Sequence, residues 1–139
     1  MVRPEPPDAR TLVVRFYEDA WNRADETAAR ALLDPAVRFA SEMQRGEVTG
    51  QKAVLTHMRA MRGALANFQC AIDDLVASTS RAAVRLTFSG THVDTLLDIP
   101  ATGRHVSWSA AGFFTAAQGR LVDIWVLGDT ATLRHQLTS

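Results

Sequence analysis

Little in this chain fixes a function by inspection. One cysteine, Cys70, among 139 residues excludes an intramolecular disulfide framework. Lysine occurs once, at Lys52, and tyrosine once, at Tyr17. Fifteen basic and fifteen acidic side chains balance to a formal net charge of zero. No basic stripe therefore points to nucleic acid, and no charged tail points to an electrostatic partner. No apolar run approaches the length of a membrane-crossing helix. The opening MVRPEPPDAR puts prolines and acids where a signal peptide needs an apolar core, so the expected location is cytoplasmic. The four histidines are scattered without local metal spacing, and we expect neither metal nor cofactor.

What is present is an apolar content of 47% with 22% charged residues, ordinary for a globular protein. The length suits one domain over residues 8–139, after a proline-rich lead-in at 1–7 that we expect to be disordered. Asp8 can cap a helix in which Ala9, Leu12, Val13, Phe16 and Ala20 recur at helical spacing. Tyr17 and Trp21, four apart, share one side of it. Asp25 caps a second helix through Leu33, which Asp34-Pro35 stops. Val37 to Ala40 reads as a short strand, followed by a polar loop from Glu42 to Gly50. A third helix from Gln51 to Leu65 carries the stripe Val54, Met58, Met61 and Leu65.

Near Asn67 the apolar period changes to two. Phe68–Val76, Ala82–His92, His105–Ala116 and Leu121–Leu127 become strand candidates, the last two joined by a tight Gln118-Gly119 turn. Helices first and consecutive strands second predict an α+β fold with a mainly antiparallel sheet.

The pieces RFYEDAWNRAD, DDLVASTSRAAVRLTFSGTH, IPATGRHVSW and GRLVDIWVLGD occur in an order and spacing that resembles the SnoaL-like polyketide cyclases of the NTF2-like superfamily. The resemblance runs from about Leu12 to Leu137 and implies a cone, with N-terminal helices packed on a curved sheet around a pocket. It implies ring closure of a polyketide by intramolecular aldol condensation, and a homodimer. Relatives often read E-H-W-D on the last strand, the final Asp being the base, with a partner histidine one strand earlier. Here the corresponding positions fall on Val126 and Gly112, neither of which can exchange a proton.

Acid–base candidates remain. Asp129 either caps the last helix or serves as a relocated base, with His92 or Tyr17 as helper. His92 can equally be a hydrogen-bonded strand-end or interface histidine. Glu42, Gln44 and Arg45 sit in a loop that is either solvated or orients a substrate. If Val126 and Gly112 mark the pocket face, as the resemblance implies, parity puts Trp108, Ala110, Phe114 and Ile124 on it too. Trp21, Met58, Met61 and Phe88 are the expected opposite walls of a substrate pocket, with His57, beside the apolar stripe of the third helix, expected at its mouth. Arg85, Thr87, Ser89 and Thr91 fall on the outer face, where we expect a dimer contact. The expected activity is cyclisation of a small apolar or polyketide-like substrate in secondary metabolism, by acid–base catalysis or by shape alone. The alternatives are an epoxide-opening cyclase or hydrolase, a cofactor-independent oxygenase, or a non-catalytic ligand-binding or assembly subunit.

Overall fold

A computed structural model describes residues 5–44 and 46–139. Residues 1–4 of the expected lead-in, and Arg45 of the expected orienting loop, lie outside the described residues. Pro6 and Pro7 lie against the turn at Gly119.

The chain begins with α1 (Ala9–Arg15), whose first turn is closed by Thr11 N–H donating to Asp8 at 3.0 Å. The helix then widens into a π segment, Phe16–Asn22, that buries Phe16, Tyr17, Ala20 and Trp21. A short turn with Ala24 at positive φ leads to α2 (Glu26–Leu32), capped by Asp25. Strand β1 (Leu33–Ser41) follows at once. It starts four residues before the expected Val37, so Asp34-Pro35 lies inside a strand and does not form a separate stop. Proline is tolerated because the pairing of β1 with its neighbour shifts register between Leu33 and Arg38. The polar loop after β1 contains a two-residue strand, β2 (Val48–Thr49), which the sequence reading missed. Helix α3 (Gln51–Ala64) then crosses the sheet.

Strands β3 (Leu65–Ala77), β4 (Arg81–His92), β5 (His105–Ala117) and β6 (Arg120–Gly128) form an antiparallel meander. Gln118 and Gly119 both adopt positive φ, the geometry a two-residue hairpin needs to match strand twist. The six strands form one sheet in the order β2-β1-β6-β5-β4-β3. All neighbours are antiparallel except β1 and β6, which run parallel. The expected α+β class with a curved, mainly antiparallel sheet is what the molecule has. Register shifts at Ala66/Gln69, Ile72/Asp74 and Thr115/Ala116 bend the sheet. The last of these lets Leu121 and Ile124 both be fully buried, although they are not spaced by two.

Helix α4 (Thr130–Thr138) closes the chain where β6 runs out. Pairing of β5 with β6 ends at Ala110, so the first residues of β5 lack a neighbour on that side. The helix supplies one: the Gln136 amide accepts from Ser107 N–H at 2.9 Å and donates to Ser107 C=O at 2.8 Å. Leu133 and Leu137 pin it apolarly. Among the described residues no helix is long and apolar enough to cross a membrane.

Candidate active site

The concave face of the sheet and the underside of the helices enclose a narrow cavity of about 30 Å³. The π segment supplies Phe16, Tyr17 and Trp21 to its wall, and α3 supplies His57 and Met61. Phe68, Phe88, Trp108 and Val126 come from β3 to β6, one from each strand. Phe39 and Ser41 of β1 complete the far side, with Glu42 and Met43 beyond them.

The rings form an unbroken belt. His57 lies 4.9 Å from Phe39 and 6.0 Å from Trp21, centroid to centroid. Trp21 then meets Phe68 at 5.1 Å, Phe68 meets Phe88 at 5.7 Å, and Phe88 meets Trp108 at 5.4 Å. Tilted and edge-to-face contacts of this kind add about 0.5–1.5 kcal/mol each beyond simple burial. The belt is therefore a rigid wall that can sandwich a flat apolar guest.

The buried polar groups of this wall include His57, Tyr17 and the Trp21 indole. His57 is 8% exposed, and burial among rings pushes its pKa down to about 4, so the imidazole is neutral at pH 7. Burial drives the Tyr17 phenol the other way, well above its ordinary value, so it stays protonated and cannot be a base at neutral pH. The Trp21 indole N–H is buried and has no hydrogen-bond partner among the described residues. Such an orphan donor is costly unless a guest or a water answers it.

Glu42 contributes the one carboxylate among the described lining residues. Its Oε1 accepts from Gly128 N–H at 2.7 Å, tying the end of β1 to the end of β6. The contact needs glycine: a Cβ on residue 128 would lie 2.5 Å from that oxygen and 3.3 Å from Trp108 Nε1. The sequence reading treated Glu42 as a loop residue that was either solvated or substrate-orienting. It missed Phe16, Phe39, Ser41, Met43 and Phe68 as lining. The alternation Val37, Phe39, Ser41 was the available signal for the β1 members.

The cavity brings together Tyr17, Trp21, His57, Met61, Phe88, Trp108 and Val126. It leaves out the other expected site residues, for distinct reasons. Phe114 and Ile124 are fully buried beneath the lining; Phe114 packs under Phe16 and Tyr17, at 6.2 and 5.9 Å. Gly112 is roofed by the Phe114 ring, whose Cε1 would lie 2.9 Å from an added Cβ, and by Val126. Met58 faces the groove between α3 and the π segment, beside Ala20 and Leu55.

Asp129 is exposed and does not line the cavity. Its two oxygens accept from Thr132 N–H at 3.0 Å and Thr132 Oγ1–H at 2.6 Å, and these bonds lower its pKa. It caps α4, which corrects its expected place as a base at the pocket.

His92 is fully buried at the end of β4, away from the cavity lining. Thr102 N–H donates to its Nδ1 at 3.1 Å, and its Nε2 is buried with no hydrogen-bond partner among the described residues. Backbone bonds from His92 N–H to Arg104 C=O and from Gly103 N–H to His92 C=O, both 2.8 Å, complete a clamp on the β4–β5 loop. His92 is thus hydrogen-bonded at a strand end, the second of the two readings its sequence context allowed. No group of three or more His, Cys, Asp or Glu side chains that could hold a metal ion occurs among the described residues.

Helices leading into a curved six-stranded sheet, with an aromatic cavity between them, define an NTF2-like cone. The sequence matches the family model for SnoaL-like polyketide cyclase over residues 11–137, and the chain belongs to that family. Among solved structures it is similar to TsrD from Streptomyces laurentii, at 27% identity over 93% of each chain with a TM-score of 0.82. A protein of Jannaschia sp. CCS1 assigned as a SnoaL-like polyketide cyclase superposes with a TM-score of 0.86, at 14% identity, over 100% of this chain and 99% of the other. IdmH from Streptomyces antibioticus, assigned as a polyketide cyclase, does so with a TM-score of 0.80, at 21% identity, over 92% of this chain and 96% of the other. No curated protein matches the sequence.

Proposed function

We propose that the chain is a ring-closing enzyme of secondary metabolism, acting in the cytoplasm on a polyketide-type small molecule and needing no cofactor. The observation that carries this reading is the aromatic belt around the cavity, read together with the family. A flexible poly-carbonyl chain gives up conformational freedom when it lies flat between rings, and in this reading the belt meets that cost by stacking and holds the reacting carbons close. Orientation of this kind can supply about 7–11 kcal/mol in favourable intramolecular cases. The reading takes Val126 and Gly112 as the positions of the family's aspartate and histidine, which makes the usual dyad absent as a unit.

The cavity is narrow for a ring-sized substrate, since small-molecule sites are typically about 300–1,000 Å³. Met43 and Met61 border it, and methionine repacks at little cost. Their displacement is the route to a larger site. The test uses 1,8-dihydroxyanthraquinone as a flat probe and a linear poly-β-ketone ester as substrate. Binding should quench the fluorescence of Trp21 and Trp108, and Val126→Phe should abolish the quenching. Cyclised product should appear by mass-resolved chromatography only with the parent. Absence of both binding and cyclisation would remove the enzyme reading.

The same narrowness favours a second reading, a non-catalytic binding or assembly subunit. Quenching without any turnover would select it. Under either reading we propose a homodimer through the outer sheet face. Phe113, Trp125 and Leu127 are 49%, 42% and 53% exposed there, and the Phe113 and Trp125 rings meet at 5.8 Å. These residues, next to the strip from Arg85 to Thr91, are the apolar part of that face. Sedimentation should give a dimer for the parent and a monomer for Trp125→Glu.

A further inference from the structure

We propose that Glu42 is the catalytic base of this cavity, with the Trp21 indole N–H as the donor that receives the developing negative charge; the proposal rests on the cyclase reading above. Of the ionisable groups on the wall, His57 is neutral and enclosed by rings, and Tyr17 holds its proton. Glu42, itself exposed to solvent, alone brings a carboxylate to the lining among the described residues.

Its placement comes from the parallel ladder between β1 and β6. Ser41 pairs with Val126, so the next residue of β1 leaves the sheet beside the last residues of β6. Gly128 N–H then fixes Oε1 at 2.7 Å, and the missing side chain of Gly128 leaves room for the carboxylate near Trp108. One oxygen is anchored and Oε2 remains for a substrate proton. The second observation is independent: Trp21, on another element of the same wall, keeps a buried N–H without a partner. An unanswered donor and an anchored acceptor in one cavity are what enolate formation requires.

The step balances without a further reactant. Oε2 takes a proton from a carbon next to a ketone carbonyl. The C–H pair becomes the C=C bond of an enolate, and the carbonyl π pair moves to its oxygen, where the Trp21 N–H donates to it. The enolate C=C π pair forms the ring C–C bond to a second carbonyl carbon of the same molecule, while the pair on the enolate oxygen returns to re-form the first C=O. The π pair of the second carbonyl moves to its oxygen, which takes back the proton from Glu42. Substrate and product are isomers, and the carboxylate is regenerated.

The test separates this proposal from the cyclase reading. 2-Tetralone, a flat ketone that cannot cyclise, is incubated in D₂O with the full chain, and loss of its α-proton signal is followed by NMR, beside cyclisation of the linear ester. Glu42→Gln keeps an oxygen for Gly128 N–H and should still quench with the anthraquinone probe. It should lower both exchange and cyclisation by about 10²–10⁴-fold, the usual contribution of a general base. Gly128→Ala, which removes no reactive group, should lower both by displacing the carboxylate. If the parent cyclises and Glu42→Gln matches its rate, Glu42 is not the base, although the cyclase reading stands. If the parent neither exchanges nor cyclises, the cyclase reading fails and Glu42's role falls with it.

Discussion

The ring of Phe114 occupies the space that any side chain at Gly112 would need. An added Cβ at residue 112 would lie 2.9 Å from Phe114 Cε1 and 3.3 Å from a Val126 methyl. Both residues sit on the inner face of β5, two apart, so the larger one leans over the smaller. Gly112→Ala should therefore destabilise the chain by about 1–3 kcal/mol, the usual cost of overpacking a core. Urea denaturation checks this. Phe114→Leu placed in the same chain should recover part of the loss, and no recovery would mean the strain lies elsewhere.

His57 gives stability a pH dependence of definite sign. Its pKa falls from 6.5 in the unfolded chain to about 4 in the fold. The unfolded state thus binds the extra proton first. Stability is full above about pH 6.5, declines as pH drops towards 4, and levels off below. The loss amounts to at most about 3 kcal/mol. Urea midpoints measured across this range should fall in the parent, and His57→Leu should flatten that part of the profile.

Asn22 and Cys70 predict a linked pair of results. The Asn22 amide donates to Cys70 C=O at 2.9 Å and accepts from Cys70 N–H at 2.7 Å, fastening the end of the π segment to β3. Burial pushes the Cys70 thiol well above its ordinary pKa, so it should react very slowly with a thiol reagent in the folded chain. Asn22→Ala leaves two backbone groups unanswered and should cost about 1–3 kcal/mol. The same variant should speed thiol modification. Equal rates in parent and variant would mean the clamp does not govern access.

Asp129 should behave as a cap and nothing more. Asp129→Asn should leave cyclisation at the parent rate and the urea midpoint almost unchanged, while Asp129→Ala, which removes the cap, should lower the midpoint. A large loss of turnover in the Asn variant, with folding intact, would return Asp129 to the chemistry.

Much of this was legible because strands announce themselves by alternation. The change of period near Asn67 located the sheet, and from Val126 and Gly112, which the resemblance marked as the pocket face, parity added Trp108, Ala110, Phe114 and Ile124; Val126 and these four are all buried. Parity cannot tell a residue at the cavity wall from one beneath it. That depends on where the sheet bends, so Val126 and Trp108 line the space whereas Phe114 and Ile124 lie under it. Pro35 hid the start of β1, because a register shift that excuses proline leaves no local mark in the sequence. Glu42 is the exposed loop residue that its polar surroundings suggested, but its tie to Gly128, 86 positions away, left no local mark in the sequence. Asp129 invited a catalytic reading by adjacency to β6, but α4 needed its cap.

The π segment has a consequence for how such a cavity can be inherited. A π turn spends one residue more than an α turn, and here the extra backbone lets Phe16, Tyr17 and Trp21 all reach the wall. Deleting a single residue between Phe16 and Asn22 would let the helix rewind as α. The lost residue would be the one the π turn absorbs, so Ala9, Leu12 and Val13, now fully buried, would keep their packing while Phe16, Tyr17 and Trp21 were spaced differently along the wall. The depth of the cavity is in this sense stored as a residue count and not only as residue types.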